Sequence, residues 1–348
     1  MASSEIAQTV TLIELVPEGI PEPKHFAIVD SPIPVCGQEG DLVLQVMAMS
    51  ADPYLRGGIK TGEVPRPMTG FVAGKVIESQ NEAWPVGSLM GAALPFSSVQ
   101  LVTSEVLSKT MSWNLTDHIS EDEITLGIGV LGMPGSTAYG GLTGVLRPNE
   151  GETLFVSAAA GAVGSLVGQM AKAKYNCTVV GSCGGAAKNE LVKAKFGFDH
   201  AIDYKELSSD DKAAELASKI KEAVPDGIDM YFENVGGYHF EAAMATLRPK
   251  GRIAVCGSIS TYNYESGTAP LNNINISQMI YTFQRIEGFV CMPWLTGRQG
   301  NFLADVSQWY REGKLNVEET TFDGIHSWVD AFAALFTGAN TGKVVVKL

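Results

Sequence analysis

The sequence predicts an α/β protein with two domains, one rich in β-strands and the other a doubly wound parallel sheet. Three observations predict this class. The chain has 348 residues, a length that favours two domains over one. Up to about residue 125 it consists of short β segments broken by Gly and Pro. From about residue 150, single helices alternate with strands, which is typical of right-handed crossovers in a parallel sheet.

The N-terminal region contains three clear β segments, "DLVLQVMAMSAD", "GFVAGKVIES" and "SSVQLVTSEVL". Turn-forming stretches such as "PEGIPEP" and "WPVGSLMG" lie between its segments. Short strands separated by turns predict a compact, mostly antiparallel barrel or sandwich.

The second region alternates regularly. Its predicted strands are "TLFVSAA", "CTVVGS", "HAIDY", "IDMYFENV", "RIAVCGS" and "IEGFV". They are nearly all apolar, as expected for strands covered by helices on both faces. The predicted helices between them are "VGSLVGQMAKAK", "AAKNELVKAKFG", "SSDDKAAELASKIKEAV" and "YHFEAAMATLRP". After Met292 come a helix, "NFLADVSQWYREG", and a strand, "GKVVVKL", and we expect this tail to return to the first domain.

Composition excludes several classes of function. The net charge of −13 argues against a nucleic-acid partner and against an anionic membrane surface. Residues 124–146 carry no charge and are long enough to span a bilayer, but their glycines and Pro134 favour a buried, turn-rich segment. The five cysteines form no C-x-x-C pair. We therefore expect no disulfide framework, no structural zinc and a reducing, cytoplasmic location.

The stretch from Leu154 to Lys172, "LFVSAAAGAVGSLVGQMAK", has the order strand, small-residue turn, helix. Gly161 and Gly164 have the spacing of the last two glycines in G-x-G-x-x-G, although Ala159 stands where the first glycine is usual. A helix N-terminus after such a turn attracts phosphate groups. The pattern favours dinucleotide binding over an ordinary glycine-rich packing turn.

The next strand distinguishes the two nicotinamide dinucleotides. An acidic side chain at its end binds the ribose in NAD-dependent proteins, but Gly181, Ser182 and Cys183 supply none. Lys188 follows on the next predicted helix, where a cation could reach a 2′-phosphate. A solvated surface lysine is the alternative for Lys188 alone. Together, the two features favour NADP.

Hydride transfer without a metal is the chemistry that the remaining residues favour. The first domain lacks the thiols and imidazoles of a catalytic zinc site, and no protease or common esterase motif is present. The loops "ENVGG" and "GSIS" end two strands and should frame the nicotinamide. Tyr54 and Tyr262 are candidate donors to a developing oxyanion, although either one alone is more commonly a packing residue.

In this order the motifs resemble the zinc-independent medium-chain dehydrogenase/reductases, specifically the NADP-dependent alkenal double-bond reductases and prostaglandin reductases (leukotriene B4 12-hydroxydehydrogenase-like). The matching motifs are "DPYLRG", "GMPGSTAYGGL", "SAAAGAVGSLVGQMAK", "KFGFDHAIDYK", "YFENVGG", "GSISTYN", "EGFV" and "GANTGKVVVK". The resemblance implies a GroES-like catalytic domain formed by residues 1–127 and 299–348 and a Rossmann domain formed by residues 128–298. It also implies homodimers.

The same resemblance implies the cofactor contacts. The pyrophosphate would meet the turn from Gly161 to Gly164, and Lys188 and Tyr204 would meet the 2′-phosphate. The residues implied for the whole cofactor site are Gly161, Ala162, Val163, Gly164, Lys188, Tyr204, Asn234, Cys256, Gly257, Ser258, Tyr262, Phe289, Val290 and Asn340. The loop after Tyr54, "GGIKTGEVPRPM", differs from the family pattern and leaves the substrate range open.

The expected activity is NADPH-dependent reduction of the C=C bond in α,β-unsaturated aldehydes and ketones. Hydride would reach the β-carbon, the ribose hydroxyl and Tyr262 would hold the enolate, and Tyr54 would orient the carbonyl. Three alternatives stay open at this point: a quinone reductase, an oxidoreductase of prostaglandins or leukotrienes, and a non-catalytic NADPH-binding protein.

Overall fold

The computed structural model describes residues 6–348, which form two compact units. The first unit contains residues 6–133, 295–299 and 319–348, and the second contains residues 134–294 and 300–318. The strands are β1 (Ile6–Leu12), β2 (Phe26–Pro32), β3 (Leu42–Ser50), β4 (Arg66–Pro67), β5 (Thr69–Ser79), β6 (Leu89–Pro95), β7 (Val99–Val102), β8 (Ser112–Asn114), β9 (Thr153–Ser157), β10 (Thr178–Cys183), β11 (His200–Asp203), β12 (Ile228–Glu233), β13 (Leu247–Val255), β14 (Arg285–Gly288), β15 (Glu319–Asp323) and β16 (Lys343–Lys347).

The α-helices are short at the start of the chain and longer between the later strands. They are α1 (Leu55–Gly58), α2 (Ser104–Lys109), α3 (Met133–Gly140), α4 (Gly164–Tyr175), α5 (Ala186–Ala194), α6 (Lys212–Ala223), α7 (Tyr238–Thr246), α8 (Ile276–Thr282), α9 (Met292–Leu295), α10 (Phe302–Arg311) and α11 (Trp328–Thr337). Single 3-10 turns lie at Pro23–His25, Tyr204–Glu206, Ile259–Thr261 and Ile325–Ser327, a longer 3-10 segment covers Glu121–Ile128, and a π-helix covers Gly141–Leu146.

The first unit is mainly antiparallel, as predicted. One sheet has the order β2-β1-β4, and a larger one has the order β15-β16-β3-β5-β6-β8, with β7 also paired to β3. Its core includes the Trp328 indole, which stacks on Phe332 and packs against Phe96. The C-terminal strand β16 pairs antiparallel with β3. The end of the chain therefore returns to the first unit, where β16 lies between β15 and β3 in the larger sheet.

The second unit contains a six-stranded sheet in the order β11-β10-β9-β12-β13-β14, with every neighbouring pair parallel. Strand order reverses beside β9, and such a switch point creates a crevice at the carboxyl ends of the strands. All five residues of β9 are buried, because α-helices cover both faces of the sheet. The predicted doubly wound sheet is confirmed.

Residues 124–146 and helix α10 lie outside the regular alternation of strands and helices in the second unit. Residues 124–146 form the short helices around Met133 and the π-helix, and most of their side chains are buried, as the glycine content predicts. Helix α10 lies in the second unit, whereas the predicted boundary at residue 299 assigns it to the first. The reason is local packing: the Tyr139 hydroxyl donates a 2.6 Å hydrogen bond to Asp305, and the Tyr139 ring contacts Phe302 edge-on.

Candidate active site

The turn after β9 is tightly closed by main-chain contacts. The Gly161 amide donates to the Ala158 carbonyl at 2.9 Å, and Ala158 itself has φ of +51°. A Cβ added at Gly164 would lie 2.4 Å from that same carbonyl oxygen, which no real side chain tolerates. Glycine at this position is therefore required by the close approach of strand and helix.

Ala159 occupies the position where the fingerprint usually has its first glycine, and the neighbouring strand explains how it fits. A Cβ added at Gly181 of β10 would lie 2.7 Å from the Ala159 methyl group. The Ala159 amide also donates to the Ser182 carbonyl at 3.0 Å, so the turn is held against β10. Ala159 has a methyl group where the usual glycine has none. Gly181 of the adjacent strand has no side chain, and this leaves room for the methyl group.

Helix α4 begins directly at this turn. Gly161, Ala162 and Val163 are half-buried, and Gly164 is buried as the first helical residue. The first amides of a helix have no intrahelical acceptors and carry partial positive charge. A small-residue turn that leads into such amides fits the pyrophosphate of a dinucleotide.

Beyond β10, two lysines and a tyrosine surround the Gly184–Gly185 loop. A Cβ added at Gly184 would lie 2.8 Å from the Tyr204 hydroxyl oxygen and 2.9 Å from Lys205 Cε. Burial, and then the nearby Lys205 charge, lower the pKa of Lys188. Lys188 and Lys205 repel each other, so binding of an anion such as a 2′-phosphate beside them is electrostatically favourable. Lys205 is an addition that the sequence reasoning missed, although it directly follows Tyr204.

A buried serine–histidine pair lies below this loop. Ser182 Oγ and His239 Nε2 are 3.0 Å apart, and the edge of the Tyr204 ring packs against the imidazole. His239 is 1% exposed, its Nδ1 atom has no hydrogen-bond partner, and burial lowers its pKa to about 4. The imidazole is therefore neutral at pH 7 and supports Tyr204 by packing.

A second buried polar group fixes the loop after β12. Glu233 Oε1 accepts hydrogen bonds from the Tyr231 hydroxyl at 2.7 Å and from the amides of Val235 at 2.6 Å and Gly236 at 2.9 Å. Burial raises the pKa of Glu233, whereas these hydrogen-bond donors act to lower it. The Glu233 Oε2 atom has no hydrogen-bond partner. This carboxyl group shapes the "ENVGG" loop from inside.

Asn234 lies at the sheet edge, as the sequence predicts. Its Nδ2 atom donates to the Ser157 carbonyl at 2.7 Å, and its amide donates to Ser157 Oγ at 3.0 Å. These bonds join the ends of β12 and β9 and leave the Asn234 side-chain oxygen as an acceptor. Ser157 is a further missed residue, since nothing in an apolar strand indicated that its hydroxyl would form hydrogen bonds with four residues, Tyr231, Phe232, Glu233 and Asn234.

The loop from Cys256 to Tyr262 continues the same edge beyond β13. The amides of Cys256 and Gly257 donate to the Glu233 carbonyl at 3.0 and 3.1 Å, which ties this loop to the end of β12. The Tyr262 hydroxyl accepts from the Ser258 amide at 3.3 Å. Because the hydroxyl is the acceptor there, its hydrogen remains available for another oxygen. Burial is the largest cause that raises the pKa of Tyr262.

Phe289 and Val290 follow β14 and differ in environment. The half-buried Phe289 ring packs edge-on against Phe232 and Trp294. Val290 is 67% exposed. The second unit thus brings twelve of the predicted residues to the carboxyl edge of one sheet, counting Gly161–Gly164, Lys188, Tyr204, Asn234, Cys256–Ser258, Tyr262 and Phe289, while Val290 lies just past it.

Tyr54 and Asn340 belong to the first unit. Tyr54 precedes α1, is 46% exposed and packs edge-on against Phe71. Asn340 lies before β16, where its Nδ2 atom is 3.4 Å from the Gly342 carbonyl. In the same "DPYLRG" motif, the fully buried Arg56 guanidinium donates to the carbonyls of Val16 at 2.7 Å and Gly19 at 2.9 Å. Arg56 therefore anchors the turn that carries Tyr54.

Family models match both units. Residues 10–110 match the N-terminal domain of oxidoreductases, and residues 162–298 match the zinc-binding dehydrogenase domain. Prostaglandin reductase 1 of Bos taurus is 38% identical over 311 residues, which cover 89% of this chain and 90% of that protein. The chain belongs to the medium-chain dehydrogenase/reductase family.

Two further comparisons refine this family assignment. The NADP-dependent 2-alkenal reductase of Nicotiana tabacum is 36% identical over 355 residues, covering 99% of this chain and 98% of that one. The crystal structure of CurA from Vibrio vulnificus in complex with NADPH superposes with a TM-score of 0.82 at 34% identity, covering 98% of both chains. Within the family, this medium-chain reductase is thus similar to prostaglandin and alkenal reductases.

Residues 6–348 bear on two further properties, metal binding and membrane insertion. Among these residues, no group of three or more His, Cys, Asp or Glu side chains lies close enough to hold a metal ion. None of the helices in the described chain has the length and apolar character needed to cross a bilayer.

Proposed function

We propose that this medium-chain reductase catalyses NADPH-dependent reduction of the C=C bond in α,β-unsaturated aldehydes and ketones. The observation that carries the proposal is the sheet edge of the second unit, where a glycine turn, a lysine pair and the Tyr262 loop follow successive strands. The full-length likeness to an NADP-dependent 2-alkenal reductase supports the same activity.

The residues present fit NADPH. The turn from Gly161 to Gly164 would hold the pyrophosphate, because it leads directly into the first amides of helix α4, which have no intrahelical acceptors. Lys188, Tyr204 and Lys205 would hold the 2′-phosphate. The other proposed contacts are Asn234, Cys256, Gly257, Ser258, Phe289, Val290 and Asn340. When bound, NADPH supplies the hydride that is added to the β-carbon of the substrate.

The tyrosines are proposed to handle the charge on the substrate oxygen. The Tyr262 hydroxyl oxygen accepts a hydrogen bond from the Ser258 amide, so its own hydrogen is available to another acceptor. Since burial raises its pKa, the hydroxyl stays protonated at neutral pH and can donate to the enolate oxygen. Tyr54 is proposed to orient the carbonyl. Solvent or a relayed proton then completes the α-carbon. Because hydroxyl groups stabilise the substrate oxygen, the proposed reaction needs no metal.

Activity on a matched pair of aldehydes tests this function. We expect NADPH oxidation with 2-hexenal and none with hexanal, with hexanal as the product of 2-hexenal. Turnover of hexanal alone contradicts the proposal. Turnover of a quinone without 2-hexenal or an enone supports a quinone reductase, and turnover confined to prostaglandins or leukotrienes supports that branch. Tight NADPH binding without turnover on any of these supports a non-catalytic protein.

Tyr262→Phe tests the role of the hydroxyl. We expect kcat for 2-hexenal to fall by about tenfold to a hundredfold, the usual range for one transition-state donor of moderate strength. NADPH affinity should change little. Tyr264→Phe, on the same loop and 44% exposed, is the control and should retain activity. A wild-type kcat in Tyr262→Phe contradicts the assignment.

We also propose a homodimer in the cytoplasm that removes reactive carbonyl compounds. Within residues 6–348, β14 pairs only with β13 and is the edge of its sheet. Exposed apolar side chains lie in the segments before and after it in the chain: Leu271 (95%), Ile276 (66%), Ile280 (67%), Tyr281 (81%), Phe283 (73%) and Val290 (67%). A second copy would cover both edge and patch. Light scattering should give a dimer for wild type and a monomer for Ile280→Asp/Tyr281→Asp. A monomeric wild type contradicts the proposal, and Val86→Asp is the control. None of the five cysteines, all of which lie within residues 6–348, forms a disulfide, which supports a reducing compartment.

A further inference from the structure

A lysine is fully buried in the first unit, at the start of the last strand. The Lys343 side chain is 3% exposed, and its Nζ atom lies 3.1 Å from Oδ1 of Asp52, which is 4% exposed. An ammonium group is costly to bury unless it is paired and hydrogen-bonded. The Lys343–Asp52 pair therefore belongs to the interior of the first unit, and it differs in burial from the exposed ion pairs on that unit's surface.

The hydrogen bonds of Lys343 place it at one point of the chain. Besides Asp52, its Nζ atom donates to the Ala51 carbonyl at 2.8 Å and to the Val344 carbonyl at 2.7 Å. An ammonium group has three hydrogens, so these three acceptors use all of them. The charge is thus held where the chain leaves β3.

The chain leaving β3 carries Tyr54. The Leu55 amide donates to the Asp52 carbonyl at 3.2 Å and the Gly57 amide to the Tyr54 carbonyl at 3.1 Å, which makes one tight helical turn. Asp52 also accepts a short hydrogen bond from the Ser50 hydroxyl. Only Pro53, whose ring fixes φ, separates Asp52 from Tyr54, so a displacement of Asp52 should also move Tyr54.

Stability alone gives no reason for an ion pair here. Well-packed apolar side chains in place of a buried ion pair are often as stabilising or more so. Buried charges are instead suited to fix one geometry among several, since they tolerate few alternative positions for their partners. Glu319 lies close enough for its charge to act on Lys343, which adds to the negative potential around the ammonium group.

We infer that Lys343 is a positioning residue for Tyr54: its ammonium group, through Asp52 and the Ala51 carbonyl, fixes the turn that presents the Tyr54 hydroxyl to the substrate. The inference rests on the proposed role of Tyr54. It does not extend to Asn340, because that loop has its own anchor, a pair of hydrogen bonds between Thr341 and Thr320 at 2.8 and 3.0 Å.

A neutral pair of similar shape tests the inference. In Lys343→Met/Asp52→Asn both charges of the pair are removed together, so neither member of the pair is left buried without the other. We expect kcat for 2-hexenal to fall about tenfold, as in Tyr54→Phe, with NADPH affinity within twofold of wild type. Adding Tyr54→Phe to the neutral pair should then change kcat less than twofold, because both changes act through one hydroxyl. A wild-type kcat, or multiplicative losses in the combined variant, overturns the inference.

Two controls separate positioning from folding. Lys75→Met/Glu121→Gln removes an exposed pair of the same unit, with Nζ and Oε2 2.6 Å apart, and should leave kcat unchanged. If the neutral pair does not fold, Asp52→Glu serves instead: it keeps both charges, moves the carboxylate by one methylene, and should show the same fall in kcat.

A spectroscopic measurement makes the result independent of activity. With 3-fluorotyrosine at position 54, the 19F resonance should be a single line in wild type and in the Lys75 control. In the neutral pair it should shift or broaden. An unchanged resonance overturns the inference even if wild type does not reduce 2-hexenal, whereas a missing activity with a shifted resonance overturns only the proposed function.

Discussion

The glycine turn after β9 and the Tyr54 turn after β3 both connect a strand to a helix, but different interactions hold them. The first is closed by main-chain contacts within a few residues, such as the 2.9 Å bond from the Gly161 amide to the Ala158 carbonyl. The second is held by charged side chains that connect it to distant segments. Lys343 comes from 292 positions away to reach Ala51, and Arg56 donates to Gly19, 37 positions away.

The kind of interaction that holds each turn determines which amino-acid substitutions it tolerates. A turn built from backbone is sensitive to any added side-chain atom, because a main-chain oxygen cannot move aside cheaply. A turn built from buried charges tolerates shape changes better than it tolerates an unpaired charge. The two turns should therefore fail under different substitutions, and four predictions follow this contrast.

The largest effect is expected from one unpaired charge. Asp52→Asn leaves the Lys343 ammonium group buried without its carboxylate, and we expect the free energy of unfolding to fall by about 3–5 kcal/mol. Urea unfolding of the first unit measures this. Glu121→Gln, which breaks the exposed pair with Lys75, should cost less than about 1 kcal/mol. Equal losses in the two variants would show that burial of the Lys343–Asp52 pair adds nothing to the cost of losing its carboxylate.

The buried imidazole below the Lys188 loop should make the second unit sensitive to acid. The pKa of His239 is about 4 in the folded protein, against 6.5 in the unfolded chain. A lowered folded pKa gives stability that is fully present above pH 6.5 and is lost as the pH falls toward 4. The loss should reach about 3 kcal/mol.

His239→Gln isolates this contribution, because an amide can keep a bond to Ser182 without titrating. Urea unfolding between pH 7 and pH 4.5 should show a smaller decrease for this variant than for wild type. The exposed His326→Gln control should follow wild type. A wild-type slope in His239→Gln would show that other groups cause the acid sensitivity.

The same contrast explains how much could be predicted from the sequence. The sheet of the second unit and the Gly161–Gly164 turn were predictable, because strand periodicity and glycine spacing report local geometry. The compensation between Ala159 and Gly181 was not, since it joins two strands whose register only the fold defines. Lys188 was predicted from its position and Lys205 was missed, because its proximity depends on the turn after β11.

In the first unit, the motif indicated Tyr54 but none of the residues that hold it. Lys343 belongs to the motif "GKVVVK". A lysine at the end of an apolar strand is usually exposed to solvent, so the motif gave no sign that this one is buried. Only the pairing of β16 with β3 brings its ammonium group to Asp52. Helix α10 was likewise assigned to the other unit, because its contact through Tyr139 and Asp305 spans 166 positions. Long-range polar contacts leave no periodic signal in a sequence.

Cofactor selectivity tests the charged part of the second unit. Lys188→Ala should raise the KM for NADPH about tenfold to a hundredfold, equivalent to about 1.5–3 kcal/mol for a charge-assisted hydrogen bond, and leave the KM for NADH unchanged. Steady-state kinetics with both dinucleotides measures this. Lys193→Ala, on the same helix and paired with Glu190, is the control. An equal change for both dinucleotides would place Lys188 away from the 2′-phosphate.

The smallest expected effects separate two neighbouring glycines. In Gly164→Ala the new methyl group meets the Ala158 carbonyl oxygen at 2.4 Å, and we expect a loss of about 1–3 kcal/mol in the free energy of unfolding. In Gly161→Ala the same oxygen lies 3.1 Å away, so the fold should lose less. That methyl group instead occupies the space through which the pyrophosphate approaches the backbone. Fluorescence titration with NADPH should therefore show weaker binding to a folded Gly161→Ala protein. If Gly161→Ala binds NADPH as tightly as wild type does, the pyrophosphate lies elsewhere, and the backbone-built turn serves packing alone.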